Sequence, residues 1–93
     1  MLLRDAVGKE LRAVRVAQSR TLRDVARDAR VSLGYLSEVE RGQKEASSEL
    51  LAAICTALNI QISALLAGVT TEIAKSEKTS LTVLSNQITS DAA

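Results

Sequence analysis

The chain contains no histidine, proline, phenylalanine or tryptophan, and only one cysteine and one tyrosine. Without histidine, neither a Ser-His or Cys-His nucleophile nor an imidazole metal site can be built. The single Cys55 excludes an internal disulfide and fits a reducing compartment. The four glycines are scattered and form no phosphate-binding loop. Lysine and carboxylate chemistry stays open, but no pair stands out, so we expect a protein that is not an enzyme and holds no metal or cofactor.

Long hydrophobic runs are also missing. No apolar stretch reaches the roughly 18 residues that span a bilayer, and the N-terminus lacks the apolar region of a signal peptide. We therefore expect a soluble, cytoplasmic protein with no membrane partner. The 93 residues, 46% of them hydrophobic, predict one domain whose core is aliphatic, because the large aromatic side chains are absent.

The net charge of +1 hides an asymmetry between the two halves of the chain. Residues 1–44 carry ten basic and six acidic side chains, a net charge of +4, whereas residues 45–93 carry two basic and five acidic ones, a net charge of −3. Every arginine lies in the first half. Because the guanidinium group binds phosphate through a planar fork, a phosphate-bearing partner is expected to dock there. The alternative is a solvated surface of i,i+4 ion pairs such as Arg20–Asp24.

Hydrophobic periodicity and capping residues predict five helices and an all-α fold. The predicted N-caps are Thr21, Ser32, Ser47 and Ser63, and the predicted C-caps are Gly42 and Asn59. The predicted buried stripes are Leu3, Val7, Leu11 and Val14 in a first helix over residues 3–19, Leu22, Val25, Ala26 and Ala29 in the second, Leu51, Ile54, Cys55 and Leu58 in the fourth, and Leu66, Val69 and Ile73 in the fifth. In this pattern Cys55 is a small core residue and not a reactive thiol.

The last part of the chain is less regular. A polar stretch over residues 75–80, KSEKTS, is expected to interrupt the fifth helix. Leu81, Leu84 and Ile88 follow with helical spacing, but Thr82 and Val83 favour a strand, so both remain open. The final residues are expected to fray.

The second and third predicted helices have the outline of a helix-turn-helix, with the motif over about residues 22–41. That outline also occurs in many helical bundles, so the residues themselves must decide. The order of Thr21, Val25-Ala26, Val31-Ser32, Leu36-Ser37, Val39 and Glu40-Arg41-Gly42 resembles the Cro-type (xenobiotic-response-element-type) helix-turn-helix family over residues 4–67. The resemblance implies a five-helix lambda-repressor-like domain. It also implies a structural ion pair between Arg15 and Glu40.

A closer likeness is to the actinobacterial regulators of Clp protease genes. It rests on ARVSLGYLSEVERGQKEASSELL at residues 29–51 and AICTAL at residues 53–58. Three residues depart from the wider pattern: Arg30 replaces a turn glycine, Leu22 a glutamine and Ala46 a proline. The glutamine's phosphate contact is therefore not expected from Leu22.

The exposed face of the third helix is predicted to read DNA in the major groove. The predicted base contacts are Ser32, Leu33, Gly34, Ser37 and Glu38. The predicted backbone contacts are Thr21, Arg23, Tyr35, Arg41, Gln43 and Lys44. Tyr35 has an alternative role in covering the edge of the core. Arg20, Arg27 and Arg30 are weaker candidates, interpreted as ion-paired or solvated.

These expectations combine into a sequence-specific DNA-binding transcriptional regulator located at the nucleoid. Residues 1–67 form its DNA-binding domain, and residues 68–93 form a C-terminal extension with a frayed end. Its expected partners are double-stranded DNA, a second copy of the chain and RNA polymerase. The predicted dimerisation residues are Val69, Ile73, Leu81, Leu84 and Ile88. The resemblance implies control of Clp protease and chaperone genes; the alternatives are a phage or antitoxin-type repressor and a helical protein-interaction module with a basic face.

Overall fold

The chain folds into five α-helices in a computed structural model that describes the backbone through Ala92 and the side chains through Lys78. The helices are α1 (Leu3–Ala17), α2 (Leu22–Ala29), α3 (Leu33–Glu40), α4 (Ser48–Ala57) and α5 (Ile62–Ala92). The described part of the chain contains no strand, so the predicted all-α class is confirmed.

Side-chain caps fix the starts of three helices. The Thr21 hydroxyl accepts a hydrogen bond from the Asp24 backbone N–H at 3.0 Å, and the Asp24 carboxylate accepts one from the Thr21 N–H in return. Ser32 and Ser47 cap α3 and α4 through the backbone N–H groups three residues on, at 3.0 and 3.2 Å. The prediction for Ser63 is wrong, because α5 begins at Ile62 and Ser63 lies inside its first turn.

The first four helices end in the same way. Each is followed by a residue with positive φ, and the next backbone N–H bonds back to a carbonyl five residues earlier. These residues are Ser19, Arg30, Gly42 and Asn59, with φ between 54° and 71°. Gly42 and Asn59 therefore end their helices as predicted. Arg30 adopts in the helix-turn-helix turn the left-handed conformation that glycine would adopt with less strain.

The core is aliphatic and lies where all five helices meet. Its fully buried large side chains are Leu11, Val25, Leu36, Val39, Ile54, Leu58 and Leu65. Cys55 is 2% exposed, and burial raises the pKa of its thiol, as expected for a core cysteine. The prediction that Leu3 is buried is wrong: it is 61% exposed, and Ala6 and Gly8 are the buried residues of that turn.

Helix α5 runs from Ile62 to Ala92 without the break predicted at residues 75–80, and residues 81–88 are helical. Leu65, not Leu66, is its innermost leucine, and Leu66 is 45% exposed. Val69 is 3% exposed within a single chain, so its assignment to a dimer interface is corrected to this chain's own core. Ile73 is half-buried against the same core.

The side chains of Leu81, Leu84 and Ile88 lie outside the described residues. The predicted boundary between the DNA-binding domain and the C-terminal extension, at residue 68, lies within the continuous helix α5 and stays a prediction. Taken singly, none of the described helices is long and apolar enough to cross a membrane. Ser48–Ala57 and Ile62–Lys78 pass that test only when joined across a 104° bend.

Candidate nucleic-acid interface

The first turn of α3 presents a small, unobstructed surface. Ser32 and Leu33 are exposed, Leu33 by 38% of its surface. A Cβ added to Gly34 meets no atom within 4 Å. The Ser32 hydroxyl accepts the hydrogen bond that caps α3, so a hydrogen bond from it to a base would use its remaining capacity. Such a surface allows close approach to another molecule.

One turn further along α3, Ser37 and Glu38 are both half-buried. Glu38 Oε2 lies 3.6 Å from Lys44 Nζ, and the same ammonium lies 5.6 Å from the centre of the Tyr35 ring. Tyr35 also packs against the edge of the core. The structure therefore brings together Tyr35, Glu38 and Lys44, and the charge of Lys44 is partly engaged within the chain.

The other predicted backbone contacts surround this helix. Arg41 is exposed, and its Nε donates to the Ser37 carbonyl at 3.3 Å, which lays the side chain back along α3. Gln43 is exposed in the loop that follows. Thr21 and Arg23 are exposed at the start of α2, and Arg23 forms no ion pair among the described side chains.

The ion pair implied by the resemblance is present. Arg15 Nε and Nη2 donate to the two carboxylate oxygens of Glu40 at 2.7 and 3.0 Å. Arg15 Nη1 donates to the Arg20 carbonyl at 3.0 Å, and the two side chains are only 15% and 7% exposed. The hydrogen bond to Glu40 raises the pKa of Arg15. This paired fork ties α1 to the end of α3 and to the start of α2.

Close backbone packing supports the same junction. A Cβ on Gly8 would lie 2.5 Å from the carbonyl oxygens of Val39 and Glu40, so α1 touches the C-terminal end of α3 at a residue without a side chain. Arg4 Nε donates to the Gly42 carbonyl at 3.0 Å and holds the turn after α3. The orientation of the exposed face of α3 is therefore set by α1.

The remaining arginines of α2 and its flanks are ion-paired or exposed to solvent, as interpreted from the sequence. Arg20 pairs with Asp28 and not with Asp24, which corrects the i,i+4 pair. Arg27 lies 3.3 Å from Asp28 and 3.7 Å from Asp24. Arg30 is exposed and forms no ion pair among the described side chains.

Arg12, which is not among the predicted site residues, lies on α1 beside the C-terminal half of α3. The sequence offered one signal for it: Arg12 lies one helical turn before Arg15 and therefore near it on the surface of α1. Within the described residues, no group of three or more cysteine or acidic side chains is placed to hold a metal ion.

Comparison with known proteins gives concordant results. The profile of a helix-turn-helix family matches residues 11–65. The transcriptional regulator ClgR of Mycobacterium tuberculosis H37Rv is 56% identical over 77 residues, which are 83% of this chain and 69% of that protein.

Solved structures show the same relationship. The crystal structure of the clp gene regulator ClgR from Corynebacterium glutamicum matches with a TM-score of 0.82 and 44% identity, over 90% of both chains. The restriction-modification controller protein C.AhdI from Aeromonas hydrophila matches with a TM-score of 0.65 and 29% identity, over 67% of this chain and 94% of that one. This chain is thus similar to regulators in both sequence and fold.

Proposed function

This chain belongs to the helix-turn-helix family and is a DNA-binding transcriptional regulator homologous to ClgR, and from that premise we propose that it binds a two-fold symmetric operator as a homodimer and controls Clp protease and chaperone genes. RNA polymerase is a further proposed partner, and the nucleoid is the proposed location.

The observation that carries this proposal is the exposed first turn of α3. Gly34 has open space around it, and Ser32 and Leu33 flank it on the exposed surface. In a helix-turn-helix, this turn meets the base edges in the major groove. Leu33 can contact a thymine methyl group, and Ser37 can hydrogen-bond several bases.

Base reading on this surface is sparse, because the face offers no Arg–guanine or Asn/Gln–adenine pair. Glu38 can accept from cytosine N4, but doing so competes with its ion pair to Lys44. Part of the specificity is therefore assigned to DNA shape. The proposed phosphate contacts are Thr21, Arg23, Tyr35, Arg41, Gln43 and Lys44.

A homodimer is proposed because one such module makes few base contacts, whereas a two-fold dimer reads two half-sites about one DNA turn, about 34 Å, apart. The exposed Ile62 and Leu66, one turn apart on α5, supply an apolar surface for the second copy. Leu81, Leu84 and Ile88 remain proposed members of this interface further along the helix.

Control of Clp genes is proposed from the two relatives named ClgR, one of which is called a clp gene regulator. The direction of control, activation or repression, depends on where the operator lies relative to the promoter. Chaperone genes are included because the resemblance to the Clp regulators implies them.

The experiment is selection of bound duplexes from random DNA by the full chain. We expect an inverted repeat whose half-site centres lie about 10 base pairs, or a multiple of it, apart. Binding must survive excess competitor DNA, since a basic protein-interaction module would lose its DNA to competitor. Recovery of no motif would contradict the proposed function. Gly34→Glu is the matched control: it should abolish operator binding without lowering the melting temperature.

A further inference from the structure

An open polar groove of about 370 Å³ lies between α1 and the C-terminal half of α3. Its lining residues are Arg12, Arg15, Ser37, Glu40 and Arg41. Three of the five are arginines, and only Ser37 and Arg41 belong to the predicted DNA-contacting set.

The charges in this groove do not cancel. Glu40 is the only carboxylate of the lining, and both of its oxygens are already bonded to Arg15 at 2.7 and 3.0 Å. Arg12 and Arg41 are exposed, and neither forms an ion pair among the described side chains. Two uncompensated guanidinium groups therefore face one concave surface, next to the Ser37 hydroxyl.

We infer that this groove binds one phosphate group of the DNA backbone, held by Arg12 from α1 and by Arg41, the residue that follows α3; the inference rests on the proposed function, whose phosphate contacts it extends to α1. A phosphate oxygen pair matches the planar guanidinium fork, and two forks can divide the oxygens of one phosphate between them. The Arg15–Glu40 pair forms the rigid floor.

The position of the groove favours a DNA phosphate over a free anion. Ser37 lines the groove and also lies one helical turn from the open surface at Leu33 and Gly34. A strand whose bases face that turn presents its phosphates at the rim of the major groove. Arg12 thus acts as a positioning contact that fixes the orientation of α3 and carries no sequence information itself.

The test compares Arg12→Gln, Arg41→Gln and the double variant by their affinities for duplex DNA across a range of salt concentrations. Both the selected operator and a mixed-sequence duplex are used. Each single variant should bind both duplexes about tenfold more weakly. Because both arginines of each copy address one phosphate, the double variant should lower the salt slope of the dimer by about 1.8, from one phosphate in each of two half-sites, whereas two separate phosphates per half-site would lower it by about 3.6.

Arg27→Gln is the matched control. It also removes one positive charge, but from an exposed side chain paired with Asp24 and Asp28. An equal loss of affinity in Arg27→Gln would overturn the inference, because it would show an effect of net charge alone. A slope change near 3.6 for the dimer of the double variant, or unchanged affinity in Arg12→Gln, would also overturn it.

Two further measurements distinguish a DNA phosphate from free phosphate, and they distinguish failure of the phosphate site from failure of the proposed function. In the first, each operator phosphate in turn is replaced by a neutral methylphosphonate. At one position per half-site, this replacement should make wild type and Arg12→Gln bind equally. Titration with inorganic phosphate should shift the Arg12 and Arg41 side-chain resonances only weakly; tight binding of inorganic phosphate together with unchanged DNA affinity would overturn the DNA assignment. If the mixed-sequence duplex shows the Arg12 effect and no motif is selected, the proposed function fails while the phosphate site stands.

Discussion

At the scale of single residues, Arg15 and Glu40 form an ion pair whose loss is expected to cost much of the stability of the domain. The two side chains are 15% and 7% exposed, and the carboxylate is bonded to the arginine through both oxygens. Burying such a pair yields little net stability, because desolvation offsets the attraction. Removing one partner is different, since it leaves a buried charge without compensation.

We therefore expect Arg15→Ala to lower the free energy of unfolding by about 3–5 kcal/mol. The measurement is urea unfolding followed by circular dichroism. Arg27→Ala serves as the exposed comparison and should cost less than about 1 kcal/mol, because surface pairs contribute little. Replacing Arg15 and Glu40 together by methionine should restore much of the lost stability. A loss below about 1 kcal/mol in Arg15→Ala would contradict the assignment of a buried pair.

The residue scale also shows why one ion pair could not be predicted from spacing. The i,i+4 rule paired Arg20 with Asp24, but Arg20 precedes α2 and is not a helical residue. The Asp24 carboxylate instead accepts from the Thr21 N–H at 3.3 Å, and the Thr21 hydrogen bonds lower its pKa. Arg20 reaches across to Asp28 and to the Ala57 carbonyl, which only the tertiary fold brings near.

At the scale of elements, local signals predicted the start of α2, α3 and α4 because their caps depend on residues only three positions apart. The same reasoning failed for α5. Ser63 looked like a cap, but the helix begins one residue earlier, and the Ser63 hydroxyl lies 3.5 Å from the Gln61 side-chain oxygen. The polar residues 75–80 did not end the helix, because polar side chains are compatible with an exposed helix face.

Two glycines in helices give opposite predictions, because one is enclosed and the other is open. Gly8→Ala places a methyl group 2.5 Å from the backbone oxygens of Val39 and Glu40, so α1 and α3 must separate and stability should fall by about 1–3 kcal/mol. Gly34→Ala meets no atom within 4 Å and should raise stability by about 0.5–1 kcal/mol. Thermal or urea unfolding of both variants measures this difference.

Operator affinity completes the comparison. Although Gly34→Ala stabilises the helix, it adds bulk to the surface proposed to approach the bases, so operator binding should weaken. Gly8→Ala should affect binding only as far as it shifts α3. A Gly34→Ala variant that is more stable and binds the operator as tightly as wild type would show that this turn does not approach the DNA closely.

At the scale of the whole molecule, the sequence predicted the class and the core but not the surface left for a partner. The stripe in α5 was taken as Leu66, Val69 and Ile73. The register is instead set by Leu65, which is fully buried, and Val69, which is 3% exposed. Because Leu65 and Leu66 are adjacent, the sequence pattern allows either of them to lie on the buried face of α5. Only packing against the other helices selects Leu65. The resemblance, by contrast, predicted Arg15–Glu40 across 25 residues, because a family pattern carries tertiary information that periodicity lacks.

This register changes the design of the dimerisation experiment. Truncation after Gly68 would remove Val69 from the core, at a cost of about 1.5–3 kcal/mol, so a monomeric product could reflect a damaged fold.

Substitution of Leu66 avoids this problem, because 45% of its surface is exposed. Leu66→Glu places a charge in the proposed apolar interface, where a second copy would have to bury it. We expect the variant to dissociate into monomers at micromolar concentration in sedimentation equilibrium and to bind one half-site weakly. Val16→Glu, an equally apolar and 55% exposed position on α1, is the control and should leave assembly unchanged. A truncation after Lys78 then tests Leu81, Leu84 and Ile88 and keeps Val69 and Ile73 in place. If Leu66→Glu stays dimeric and the truncated chain does not, the interface lies further along α5; if both stay dimeric, α5 is not the dimerisation element.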